Sequence, residues 1–146
     1  MKARVKWVEG MTFVAEAGSG HAIVLDSAAE NGGRNLGVNP MELLLMGLAG
    51  CTAFDVVSIL RRGREPIEDC VVDVEAERAP KDPKVFTRIR LHYALTGDGL
   101  SEQKVERAIE LSKEKYCSAS IMLAQVAELT HHWTVIQRPP PAGRTA

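Results

Sequence analysis

Residues 39–64 read NPMELLLMGLAGCTAFDVVSILRRGR. Asn39 is a favoured N-cap, Pro40 suits the first helical position, and Glu42 falls three residues after the cap, the spacing of a capping box. Arg61, Arg62 and Arg64 complement the negative end of a helix dipole, and Gly63 offers a stop. The spacing predicts one helix from Pro40 to about Arg62. From Leu43 to Phe54 it is apolar nearly all round, which predicts burial on most sides. Glycine inside a helix costs roughly 1 kcal/mol relative to alanine. Gly47 and Gly50 therefore point to something packing very close, such as a second helix. One domain of this size rarely surrounds a helix of about six turns, so a second subunit is the expected cover.

Upstream, Ala3, Val5 and Trp7 alternate with Arg4 and Lys6, the period of a strand. Met11 to Ala15 and His21 to Asp26 read as two more short strands, with turns at Gly10 and at Gly18-Ser19-Gly20. The segment SAAENGGRNLGV, residues 27–38, is a loop. Downstream, Val71 to Glu77 and Val85 to Leu95 read as strands, the second burying Ile89, Leu91, Tyr93 and Leu95. Ser101 caps a helix expected over 102–115, with Val105, Ala108, Ile109 and Ser112 on one stripe. A short helix then runs from Ser118 or Ser120 through Val126, and Leu129 to Val135 is the last strand. The order β-β-β-α-β-β-α-α-β predicts an α+β fold with antiparallel sheets. It spans one domain over residues 1–137, followed by a Pro-rich tail at 138–146.

Composition narrows the function classes. With 18 Lys plus Arg, 19 Asp plus Glu and 5% aromatics, the 146-residue chain shows neither the basic charge nor the stacking platform of a nucleic-acid partner. The Leu43–Phe54 run is too short to span a bilayer, and the start of the chain has no apolar run behind its basic residues. A cytoplasmic protein without membrane partners is expected. No Walker or GxGxxG phosphate loop is present.

Three cysteines at 51, 70 and 117 form no disulfide framework and no zinc-finger spacing. Cys51 lies in the apolar helix beside Gly50. Cys117 lies at a helix entry, where backbone N–H groups stabilise a thiolate or an oxidised sulfur. Such a pair suits peroxide reduction: one thiolate becomes a sulfenic acid and a second thiol condenses with it to a disulfide. The bland alternative is that both are buried apolar residues. Cys70 opens a strand and reads as core. His131 and His132 are adjacent on a strand, face opposite ways and make a poor metal pair; His21 and His92 are isolated.

The segment GGRNLGVNPMELLLMGLAGCTAFDVVSIL (32–60), the later KEKYCSASIML (113–123) and the terminal HHWTVI (131–136) together resemble the OsmC/Ohr family of osmotically inducible and organic-hydroperoxide-resistance proteins. They look closest to its OsmC-like branch. The resemblance implies an intertwined α+β homodimer with long central helices and active sites at the subunit interface. It implies that Cys51 is the peroxidatic thiolate and Cys117 the resolving thiol. The substrate would be an organic hydroperoxide and the reductant a dithiol of the lipoyl type, with no metal or other cofactor.

Two departures stand out. Where the peroxidase branch carries a thiolate-stabilising arginine, this chain has Gly18-Ser19-Gly20-His21, leaving Arg34 as a substitute. Where that branch carries a Glu directly after the helix proline, this chain has Met41, with the carboxylate at Glu42. Glu42 is thus a candidate catalytic residue that a capping box also explains. Two alternatives follow. One is a non-enzymatic OsmC-like stress or binding protein holding a small apolar ligand in the dimer cleft. The other is a metal-binding thiol site at Cys51 and Cys117, with or without a histidine.

Overall fold

A computed structural model describes residues 1–138. These fall into two compact units, Met1–Met46 and the chain from Gly47 onward, the boundary lying within the long helix. The tail expected at 138–146 lies, from Pro139 on, outside the described residues.

The first unit is an antiparallel meander of β1 (Ala3–Glu9), β2 (Thr12–Ala17) and β3 (Ala22–Leu25). Every residue of β1 is exposed, so the expected Val5/Trp7 face covers no core of its own. The 27–38 loop is built around Asp26. Its carboxylate accepts from the backbone N–H of Ser27 at 2.8 Å, of Leu36 at 3.1 Å and of Arg34 at 3.4 Å, and from the Thr12 hydroxyl at 3.2 Å. The Ser27 bond leads these in holding the Asp26 carboxyl below the usual carboxylate range. Two glycines allow the chain to fold back so tightly. A Cβ at Gly33 would lie 1.9 Å from the Ser27 carbonyl oxygen, and one at Gly37 would lie 2.3 Å from that of Val24.

Helix α1 (Pro40–Arg62) begins as its sequence predicts. The Met41 N–H donates to Asn39 Oδ1 at 2.9 Å, and the Asn39 N–H donates to Glu42 Oε2 at 2.9 Å, closing the capping box. Burial along α1 is narrower than expected. A single row, Leu48, Thr52, Val56 and Leu60, is buried, while Leu44, Met46 and Phe54 are exposed. A helix laid on one side of a sheet buries one stripe; the opposite face stays open. Taken whole, α1 is long and apolar enough to cross a membrane, a correction to the shorter run counted from sequence. Its buried row nevertheless carries Thr52, hydrogen-bonded inside the second unit.

That unit holds a sheet ordered β4 (Ile67–Arg78), β5 (Phe86–Gly97), β6 (Glu128–Gln137). β4 and β5 are antiparallel. β5 and β6 are parallel, so this sheet is mixed rather than wholly antiparallel. The helical crossover between them returns the chain in the same direction, as a parallel pairing requires. Ile89, Leu91, Tyr93 and Leu95 are buried, as their alternation predicts.

The crossover contains α2 (Glu102–Leu111), capped by Ser101, whose side chain accepts from the Lys104 N–H. The helix expected to reach residue 115 instead widens into a π turn over Ser112–Tyr116, closed by the Cys117 N–H donating to the Ser112 carbonyl at 2.8 Å. Helix α3 (Ser118–Leu123) follows.

Candidate active site

Sixty-six positions separate Cys51 from Cys117 in sequence, and the second unit brings them together. The sulfurs of both and a carboxylate oxygen of Asp55 all lie within 4.8 Å of one another. Asp55 follows Cys51 by one helical turn, which puts it on the same side of α1. Cys51 and Asp55 are half-buried and Cys117 is fully buried.

Cys117 is the N-cap of α3, and its sulfur accepts from the Ser120 N–H at 3.4 Å. Burial pushes the Cys117 thiol up; the Ser120 hydroxyl and N–H pull against that rise, and Cys51 adds to it. The π turn has a direct consequence here. It ends the α2 stripe at Ser112 and delivers Cys117 to the next helix entry.

Asp55 is one end of a buried hydrogen-bond chain. The Ser112 hydroxyl donates to Asp55 Oδ2 at 3.2 Å and lies 2.9 Å from the Thr52 hydroxyl. The Thr52 hydroxyl lies 2.8 Å from that of Tyr93, which lies 2.9 Å from His131 Nδ1. An ionised carboxylate accepts only, and each hydroxyl has one proton to give. With Asp55 ionised, Ser112 donates to Asp55, Thr52 to Ser112 and Tyr93 to Thr52, and the N–H at Nδ1 of His131 donates to Tyr93. His131 Nε2 is then the unprotonated nitrogen; it is buried without a partner among the described residues. Burial, first among the causes, holds His131 down at about 4, while burial raises the Tyr93 hydroxyl far above its ordinary value.

The other residues singled out from sequence have partners of their own. Glu42 belongs to the first unit, where its carboxylate is engaged in the helix cap. Arg34, in the same unit, pairs with Glu9 at 2.6 Å and donates to Thr12 at 3.4 Å. Cys70 does not open its strand; it is the fourth residue of β4, half-buried, with its thiol raised by burial and by Asp69. It lines a groove of about 460 Å³ with Ala53, Phe54, Val57 and Arg61 of α1. His132 and His131 face opposite ways; His92 Nε2 lies 3.0 Å from the Thr134 hydroxyl. Two sulfurs and one carboxylate are also a donor set zinc accepts, and no histidine joins that cluster among the described residues. The spacing of Asp55, one turn after Cys51, reads from sequence as a buried polar contact or an interface group; Thr52, Ser112 and Tyr93 carry no sequence signal that marks them as its partners, since helix, π turn and strand each supply one part.

Residues 32–132 match the family described as "OsmC-like protein". The chain is 47% identical over 136 residues to the protein of Escherichia coli (strain K12) named "Protein YhfA", covering 93% of this chain and 98% of that one. A solved structure of a hypothetical protein from Aquifex aeolicus VF5 superposes with a TM-score of 0.83 at 29% identity, over 94% of this chain and 97% of that one. One from Legionella pneumophila, described as an organic hydroperoxide resistance protein OsmC, superposes with a TM-score of 0.68 at 19% identity, over 92% and 96%; that likeness concerns the fold alone.

Proposed function

The chain belongs to the OsmC-like family, and on that premise we propose that it is a cytoplasmic thiol peroxidase that reduces organic hydroperoxides. The observation that carries this reading is the approach of the Cys51 and Cys117 sulfurs to within 4.8 Å of each other. Half-buried Cys51 is the peroxidatic thiol: its thiolate attacks the O–O bond, releases the alcohol and becomes a sulfenic acid. Cys117 is the resolving thiol; its full burial, out of reach of bulk peroxide, supports that role. A dithiol of the lipoyl type reopens it by exchange. The apolar neighbours of Cys51 on α1 favour alkyl peroxides over hydrogen peroxide.

A homodimer belongs to the same reading. Gly47 and Gly50 face open space, and Phe54 is 82% exposed. An apolar helix face of that kind calls for a partner, and a second copy of α1 supplies it.

The test is turnover of cumene hydroperoxide with dihydrolipoamide and, separately, with monothiols. Fast, dithiol-dependent turnover that disappears in Cys51→Ser is expected. Turnover retained in Cys51→Ser rules the assignment out.

A second reading, a binding protein without efficient peroxidase chemistry, is favoured by what stands beside the thiols. The charged neighbour is the Asp55 carboxylate, and Arg34 is paired with Glu9. A small apolar ligand would then sit in the dimer cleft. Slow reaction of both thiols with peroxide would select this reading.

A further inference from the structure

A carboxylate beside two thiols is an awkward neighbour for a thiolate, since like charges disfavour each other. Its position suits a different task. The second half of the proposed cycle must move a proton: the buried Cys117 thiol has to lose one, and the oxygen leaving Cys51 has to gain one.

We propose that Asp55 carries that proton, taking it from the Cys117 thiol and handing it to the hydroxyl that leaves the Cys51 sulfenic acid. This rests on the peroxidase reading above. The step balances without any further reactant. The Cys117 sulfur attacks the Cys51 sulfur, the S–S bond forms and the Cys51 S–O bond breaks. The electron pair of that bond leaves with the hydroxyl, which the proton from Asp55 turns into water. The sulfenic sulfur is reduced and the Cys117 sulfur is oxidised.

Three features support the assignment. Asp55 lies within 4.8 Å of both sulfurs, near enough to reach each through small side-chain movements. Asp55 Oδ2 accepts from the Ser112 hydroxyl at 3.2 Å, which is fixed in turn by Thr52 at 2.9 Å, so the carboxylate is held beside the two sulfurs. Ser112 and Thr52 are fully buried, so the hydroxyls that orient Asp55 do not exchange partners with bulk water. Ser112 and Thr52 are positioning residues; they act through Asp55.

The experiment separates the two halves of the cycle. Reduced protein is mixed with one equivalent of cumene hydroperoxide and quenched at intervals. Sulfenic acid is trapped with dimedone, and disulfide is counted by the mass of alkylated protein. In Asp55→Asn, Cys51 is expected to oxidise within about threefold of the wild-type rate. Disulfide formation should slow at least tenfold, with the Cys51 dimedone adduct accumulating; Asp55→Glu should recover much of the loss. Disulfide formation at the wild-type rate in Asp55→Asn overturns the proposal. So does an equal slowing of both halves, which a merely structural role produces. In the wild type, the disulfide step should show a solvent deuterium isotope effect of about two or more, and a value near one also overturns it. Wild-type protein that forms no disulfide at all instead defeats the peroxidase reading itself.

Discussion

The hydroxyls of Thr52 on α1 and Tyr93 on β5 lie 2.8 Å apart, and neither residue has any exposed surface. This contact ties the long helix to the central strand of the second sheet, and through Ser112 it also ties the helix to the π turn. Thr52→Val keeps the shape and removes the hydroxyl, which leaves Tyr93 bonded to His131 and Ser112 bonded to Asp55, each short of one partner. Under-satisfied buried groups cost about 1–3 kcal/mol. Thr52→Val should lower stability by about that much, read from urea unfolding. Tyr93→Phe should be destabilising too, and the double variant should lose less than the sum, because both substitutions break the same bond. Strict additivity would show that the chain is not coupled.

The open face of α1 leads to a second prediction. In an isolated protomer, alanine at Gly47 or Gly50 meets nothing within 4 Å, so helix propensity alone should favour each substitution by roughly 1 kcal/mol. In a dimer closed across these glycines, the added methyl groups push the helices apart. Gly47→Ala with Gly50→Ala should therefore weaken self-association at least tenfold in sedimentation equilibrium. Unchanged association would move the dimer contact away from this stripe.

Much of this architecture is legible in the chain. Asn39 and Glu42 mark the start of α1 because a capping box is local: all its atoms lie within four residues. The buried side of β5 is legible because a strand alternates. The pairing of Cys51 with Cys117 is legible only through the family resemblance of the two cysteine segments, since spacing alone does not distinguish them from buried apolar residues. The hydroxyl chain is not legible at all. Its bonds join residues 57, 60, 41 and 38 positions apart, and Ser, Thr and Tyr are common enough that no pattern selects these. The π turn escapes for a similar reason. Residues 102–115 have the composition of an unbroken helix, and the widening at Ser112 is seen only once its hydroxyl has buried partners.

Glu42 offers a direct way to separate capping from chemistry. Glutamine also closes a capping box, so Glu42→Gln preserves the bond to the Asn39 N–H while removing the charge. Turnover of cumene hydroperoxide in Glu42→Gln should stay within about twofold of wild type. Glu42→Ala removes that bond while Asn39 Oδ1 stays bonded to the Met41 N–H, and should cost at most about 1 kcal/mol of stability. A large loss of turnover in Glu42→Gln at unchanged stability would instead assign the carboxylate to the chemistry.

His131 should set how stability responds to mild acid. Its Nδ1 is 2.9 Å from the Tyr93 hydroxyl, its Nε2 is buried, and burial together with Lys113 and His132 holds it at about 4, below the ordinary imidazole value of about 6.5. The neutral ring is thus favoured by the folded chain. Above about pH 6.5 folded and unfolded chains are both neutral at this position, and the contribution is complete. As pH falls from about 6.5 toward 4 the unfolded chain binds the proton first, and stability declines across that window. Below it both states are protonated and the loss is finished; further acid loss then comes from carboxylates such as Asp26, whose depressed value places its decline lower. His131→Asn puts an amide N–H where Nδ1 donates to Tyr93 and removes the titration. Its urea midpoint should vary less between pH 7 and pH 4.5 than that of the wild type. An equal decline in both proteins would place the titrating group elsewhere and leave His131 a structural donor to Tyr93.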